Sequence, residues 1–150
     1  MKHILVAAIF FMTINKIFAA PKAPATFDLS YAKSIAAKAL ECAQKKNWKV
    51  SIAIVNSESN LTYFERNELA YPGSIEAAIQ KAKSSNSFQR PTSAFVERIK
   101  QGSVGILSVK GIVALEGGVP ILIAGKHVGA IGISGAKAIE DEQCAKVAVE

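Results

Sequence analysis

Nine of the chain's ten glycines fall between Gly102 and Gly135, interleaved with valine, isoleucine and leucine. This crowding constrains the fold more than any other feature, because glycine turns freely and is disfavoured inside helices by about 0.5–1 kcal/mol relative to alanine. Short strands joined by tight turns are the natural reading. Strands are expected near Gly105–Ser108, Ile112–Leu115, Val119–Ala124 and His127–Ser134, with Gly125-Lys126 as the hairpin loop between the last pair. Gly129, Gly132 and Gly135 recur at every third position. In a strand that spacing alternates faces and suits close approach of another backbone or of a flat ligand.

Helices flank this region. Asp28 is a plausible N-cap, and Leu29, Ala32, Ala36, Ala39, Leu40 and Ala43 recur at helical spacing until Lys45-Lys46-Asn47, whose charge suits a helix C-terminus. Val50–Val55 is a β-prone run, apolar on both faces, and the polar tip Ser57-Glu58-Ser59-Asn60 joins it to Leu61–Arg66 as a hairpin. Beyond Pro72-Gly73-Ser74, the spacing of Ile75, Ala78, Ile79 and Ala82 predicts a second helix. A third follows Arg90-Pro91, capped by Thr92 and carrying Phe95 and Ile99 one turn apart. A last helix runs from about Ala138 to the C-terminus. Hairpin-linked strands with helices gathered elsewhere indicate an α+β domain on an antiparallel sheet.

The N-terminus reads as a secretory signal peptide: Met1-Lys2-His3 is basic, Ile4–Ile14 is apolar apart from Thr13, and Phe18-Ala19-Ala20-Pro21 offers small residues for cleavage. A membrane span needs about 20 apolar residues, and Asn15-Lys16 interrupts this one first. The expected division is a signal at 1–19, an extended leader at 20–26 and one domain at 27–150, in the periplasm or secreted. Removing Lys2 and Lys16 leaves 16 basic against 12 acidic residues, a net +4 in place of +6. That surplus is spread along the chain, with Lys45, Lys46 and Lys49 as its densest run, so neither a nucleic-acid partner nor a membrane surface is expected. Export makes Cys42 and Cys144 a disulfide candidate. Two buried free thiols are the alternative. A first and a last helix lying side by side would bring the two cysteines together.

Catalytic groups are scarce. His127 is the one histidine left after signal removal and the one candidate metal ligand, weighed against a side chain that is merely exposed or satisfied. Glu140-Asp141-Glu142 is explained by the dipole of the helix it begins. Glu65 and Glu68 face each other only if their segment turns helical, and Asn60-Leu61-Thr62 matches a glycosylation sequon by chance. The glycines do not follow the order of a dinucleotide or phosphate loop.

Several segments together resemble one family. These are Val50–Arg66, Lys81-Ala82, Phe88-Gln89-Arg90-Pro91-Thr92, Glu116-Gly117-Gly118-Val119-Pro120-Ile121, Gly129-Ala130-Ile131-Gly132-Ile133-Ser134-Gly135-Ala136 and Asp141. They are similar to the GlcG/HbpS family of haem-binding proteins, which includes the C-terminal domain of PduO proteins. The resemblance implies a profilin-like α/β sandwich, an antiparallel sheet of about five strands with helices on both faces, symmetric homo-oligomers and, for some members, haem or a related tetrapyrrole as ligand. Matched residue by residue, Arg66 follows the second strand, Thr92 is the Pro-Thr threonine, and Gly117, Gly118 and Pro120 form the loop before a central strand.

Phe88, Arg90 and Thr92 are the leading pocket residues, because an aromatic and a cation can hold a flat ring and its propionates; Arg66, Gly117 and Gly118 complete the ligand-binding set. The chain departs from the family at Arg66-Asn67-Glu68-Leu69-Ala70, where a bulky Leu69 replaces a glycine, and its first helix has no histidine. Axial candidates for haem are then His127, Tyr31, Tyr63, Tyr71 or the Thr92 hydroxyl. The reading is an exported small-ligand-binding module for haem or a related tetrapyrrole, in sequestration or sensing, with no catalytic residue assigned. Its alternatives are a small enzyme or accessory for a 2-hydroxy acid or diol, and a structural oligomer joined through the glycine-rich strands.

Overall fold

A computed structural model describes residues 26–150; the signal segment and all but the last residue of the leader lie outside the described residues. The first helix, α1 (Leu29–Lys45), starts where expected, with Asp28 Oδ1 accepting the Tyr31 N–H at 2.7 Å. Its inner stripe is Ala32, Ile35, Ala36, Ala39 and Ala43, small enough to let the helix lie close on a sheet. Strand β1 (Ser51–Asn56) is buried over its first five residues and pairs antiparallel with β2 (Leu61–Arg66). Helix α2 (Gly73–Phe88) ends at Gln89 in the left-handed conformation, φ 50°, and α3 (Ser93–Lys100) follows after Pro91. Strands β3 (Gly118–Ile123) and β4 (Lys126–Ser134) form the second hairpin, and α4 (Ala138–Val149) closes the chain.

The sheet order is β2-β1-β4-β3, antiparallel throughout. One face carries Ile52, Ile54, Val119, Ile121, Ile131 and Ile133 against α1 and α4; the other carries Ala53, Val55 and Ala130 against Ala78 and Ala82 of α2. The second layer is built from small residues because α2 sits almost on the strand backbones. A Cβ on Gly132 would stand 2.1 Å from the Ala78 carbonyl oxygen, and one on Gly118, its cross-strand partner, 2.4 Å from that of Lys81. Gly129 and Gly135 meet the Val55 and Lys49 carbonyls in the same way. The close approach expected of the spaced glycines is therefore made by the chain's own backbone, which leaves these four positions no room for a flat ligand.

Two expected strands are absent. Val104–Ser108 is a 3-10 helix and 112–115 is irregular, so the sheet has four strands. Gly102 and Gly111, with φ of 88° and 91°, reverse the chain on either side of the 3-10 turn. The Val113 N–H then donates to Ser84 Oγ on α2 at 2.9 Å, which draws the segment over the helix and away from β3. Pro120 lacks an N–H, which is tolerated because β3 is an edge strand. The hairpin loop is Ala124-Gly125, one residue earlier than expected, with φ of 50° and 77° at its two positions. This is the double positive-φ turn that matches strand twist.

The Cys42–Cys144 disulfide joins α1 to α4, with Cα atoms 5.5 Å apart across a sequence separation of 102. The side-by-side placement of the first and last helices is thus realised and locked.

Candidate functional site

Some of the residues that carry the family resemblance meet in a buried latch. Lys81, on the sheet-facing stripe of α2, donates from Nζ to Asp141 Oδ2 at 3.0 Å and to the Ile133 carbonyl at 2.9 Å. Both side chains are 2–3% exposed. Asp141 Oδ1 accepts the Ala136 N–H at 3.0 Å, so one carboxylate ties α2, the end of β4 and the start of α4. Burial pushes the Asp141 carboxyl above its ordinary pKa, and the Lys81 ammonium opposes that shift without reversing it. Gly117 is where the chain passes this pair. A Cβ there would lie 2.9 Å from Lys81 Nζ, and its φ of 121° excludes most other residues.

Thr92 extends the latch to α3. It occupies the N-cap position but makes no cap bond; its buried Oγ1 instead accepts the Gly118 N–H at 3.0 Å, while its own N–H donates to the Gly118 carbonyl at 2.9 Å. Thr92, Gly117 and Gly118 are therefore brought together in a packed interior.

Phe88 and Arg90 lie elsewhere, at the C-terminal end of α2. Phe88 meets the buried Phe95 edge-on at 5.4 Å, and Arg90 is exposed, using Nε to donate to the Phe88 carbonyl and leaving its terminal nitrogens open to solvent. Asn86 Nδ2 donates to the Ser57 carbonyl and to Ser59 Oγ, which fixes this end of α2 to the β1–β2 tip. His127 belongs to the same end of the sheet, two residues from Gly129, which pairs with the last residue of β1. It stands opposite Leu122, and Val128 is an extra residue bulged between the Ile121–Gly129 and Leu122–His127 pairs. Ile121 belongs to the α1/α4 face, so pleating puts Leu122 and its partner His127 on the α2 face. Leu122 is exposed, whereas His127 Nε2 is enclosed with no hydrogen-bond partner.

The other candidates are dispersed. Arg66 folds over its own turn, with Nε and Nη2 donating to the Ala70 carbonyl. Tyr63 OH donates to Glu65 Oε2 at 2.9 Å, which raises its pKa; Tyr31 packs edge-on to Phe27; Tyr71 OH lies 3.4 Å from Ser134 Oγ. Among the described residues, no group of three or more histidine, cysteine, aspartate or glutamate side chains is placed to hold a metal ion.

The Lys81–Asp141 pair escapes the sequence reading, which assigned Glu140, Asp141 and Glu142 together to the helix dipole. Only Glu140 behaves so, accepting the Lys137 N–H at the helix start. Asp141 and Glu142 are 2% and 4% exposed. The signal was periodicity: Asp141 precedes the buried Cys144, Ala145 and Ala148 at helical spacing, as Lys81 sits beside Ala78 and Ala82. Each charge falls within an apolar stripe and requires a partner.

Comparison with known proteins agrees with this architecture. The family model described as haem degrading protein HbpS-like matches residues 27–150. Protein GlcG of Escherichia coli K12 is 33% identical over 103 residues, covering 69% of this chain and 77% of that protein. The crystal structure of HbpS is 31% identical, covers 95% of this chain and 96% of its own, and superposes with a TM-score of 0.75. The PduOC:heme complex, 24% identical over 83% of this chain and 93% of its own, shares the fold with a TM-score of 0.76. With residues 27–150 matched, nearly the full described length, the chain belongs to the HbpS-like family.

Proposed function

We propose that this chain is an exported, non-enzymatic binding module for haem or a related tetrapyrrole, acting in sequestration or sensing as a homo-oligomer. The observation that carries the reading is His127 Nε2: a buried imidazole nitrogen without a partner, on the sheet face and at the sheet end where Phe88, Leu122 and Arg90 are found. Buried polar atoms are normally paired, and an unpaired one invites a functional explanation. These residue types fit the group. Arg90 has free guanidinium donors for propionates, Phe88 and Leu122 offer apolar surface for a macrocycle, and imidazole is a common axial ligand. When bound, haem would supply the iron and the redox chemistry; the chain supplies the nitrogen, the apolar contact and the cation. Reaching Nε2 requires the His127 ring to turn outward beside the Ala124-Gly125 hairpin loop.

Thr92, Gly117 and Gly118 contribute as framework in this reading, fixing the chain just after Phe88 and Arg90, while Arg66 holds its own turn. The α1–α4 disulfide supports an oxidising compartment. Exposed Val104, Leu107, Val109 and Leu115 on the segment after α3 supply apolar surface for subunit contact. Titration with hemin, followed in the Soret band, tests the ligand. Saturable binding at one hemin per chain is expected, weakened at least tenfold and spectrally altered in His127→Ala, and weakened several-fold in Arg90→Ala. A Soret band that never saturates, or a His127→Ala spectrum identical to wild type, would overturn it.

A further inference from the structure

A second orphaned polar atom lies outside that region. Helices α3 and α4 enclose an open cleft of about 610 Å³, lined in part by Ser93, Glu97, Glu116, Ile139, Glu142 and Lys146. Glu142 is 4% exposed. Its Oε1 accepts from Ser93 Oγ at 2.8 Å and is paired with Lys146 Nζ one helical turn on, while Oε2 is buried with no partner. An ionised carboxylate with one oxygen unsatisfied in the interior lacks a donor, and the interior supplies none.

The charge of the cleft says what kind of donor suits it. Four carboxylates line it, Glu97, Glu116, Glu140 and Glu142, against two ammonium groups, Lys100 and Lys146. Lys100 is already held by Glu97 at 2.7 Å. Lys146 comes from a side chain 55% exposed, so it can leave Glu142 at little steric cost and be replaced by another ammonium. Glu116 is half-buried in the same wall. A hard divalent cation prefers six or more oxygens in a compact shell, and the described residues hold no such group of ligands. An organic ammonium needs only two or three acceptors and an apolar wall for its carbon chain, which the 71%-exposed Ile139 provides.

We propose that the α3–α4 cleft is a binding site for small alkylammonium compounds, with Glu142 as the primary anchor, Glu116 as the second acceptor and Lys146 as the resident cation that the ligand displaces. The site is independent of the haem reading, since Phe88, Arg90, Leu122 and His127 are not among its lining residues.

Isothermal titration of the purified protein with 1,4-diaminobutane and with ethanolamine tests it, using butyrate and magnesium chloride as controls. Saturable one-to-one binding of at least one amine is expected, unaffected by equimolar magnesium and absent for butyrate. Glu142→Gln should weaken it at least tenfold, and Glu116→Gln several-fold. Lys146→Met removes the competitor and should tighten binding several-fold, a result that stands even if Glu142→Gln fails to fold. No saturable amine binding, displacement by magnesium, or unchanged affinity in Lys146→Met would overturn the assignment.

Discussion

Replacing Lys81 with methionine isolates the buried ion pair and makes a pH-dependent prediction. In the native protein Lys81 Nζ donates to Asp141 Oδ2 and to the Ile133 carbonyl, and both side chains are 2–3% exposed. Without the lysine, Asp141 either remains ionised in the interior, for which removing one partner of a buried pair costs about 3–5 kcal/mol, or takes up a proton. Protonation costs about 1.4 kcal/mol for each pH unit above the ordinary carboxyl value of 3.8, hence about 4 kcal/mol at pH 7. The lower of the two sets the penalty. At pH 4 the proton is nearly free, and about 1 kcal/mol remains for the lost bond to Ile133.

The sign agrees with the native titration. Burial holds the Asp141 carboxyl above 3.8 even beside Lys81. A carboxyl raised in the folded state contributes stability that is complete below its unfolded pKa and is lost as pH rises through its folded value. Lys81 restrains that loss, so Lys81→Met raises the folded value further and stretches the window toward neutrality. Urea denaturation of both proteins at pH 4, 5.5 and 7 should give a difference growing from about 1 to about 4 kcal/mol. Adding Asp141→Leu should recover most of the loss, because a buried pair replaced by apolar side chains is often neutral or better. A difference independent of pH, or a double variant as unstable as the sum of its single changes, would refute the reasoning.

Three further variants probe the frame. Breaking the α1–α4 bridge with Cys42→Ser and Cys144→Ser frees a loop of about 100 residues, for which chain entropy gives about 4.7 kcal/mol and typical losses run about 2–5 kcal/mol; thermal melts with and without reductant should coincide only in the variant. Gly132→Ala places a methyl 2.1 Å from the Ala78 carbonyl and should cost about 3 kcal/mol. Gly105→Ala, with nothing within 4 Å of the new Cβ, should change stability by less than about 0.5 kcal/mol in the same denaturation assay.

Residues with a period were legible in the sequence. The alanine stripe of α1 announced itself by its helical spacing, the run of β1 by its continuous β-prone apolar residues, and β4 by glycines set among Val and Ile. The stretch 104–115 has the composition of strands and none of their pairing. Gly102 and Gly111 at positive φ, together with the Ser84–Val113 bond, redirect it over α2, and no local pattern encodes a partner 29 positions away. The same holds for Thr92. Its place before α3 reads as a cap, but the hydroxyl is claimed by Gly118, which only tertiary structure brings within reach.

That division bears on where ligand choice resides. Gly117, Gly118, Gly129, Gly132, Gly135, Lys81, Asp141 and Thr92 are all spent on backbone approach or buried bonds, as their enclosed geometry shows. Changing any of them disturbs the frame before it disturbs a ligand. Among the described residues three buried side-chain atoms are left without partners: Asn86 Oδ1 near the end of α2, His127 Nε2 on the bulged edge hairpin and Glu142 Oε2 on α4, all outside the glycine motifs. A frame held by those glycine and latch residues leaves the positions free to bind separable from the fold. It follows that His127→Ala, which removes an unpaired buried atom, should change binding while moving stability by no more than about 1 kcal/mol, whereas Gly132→Ala should lose both together.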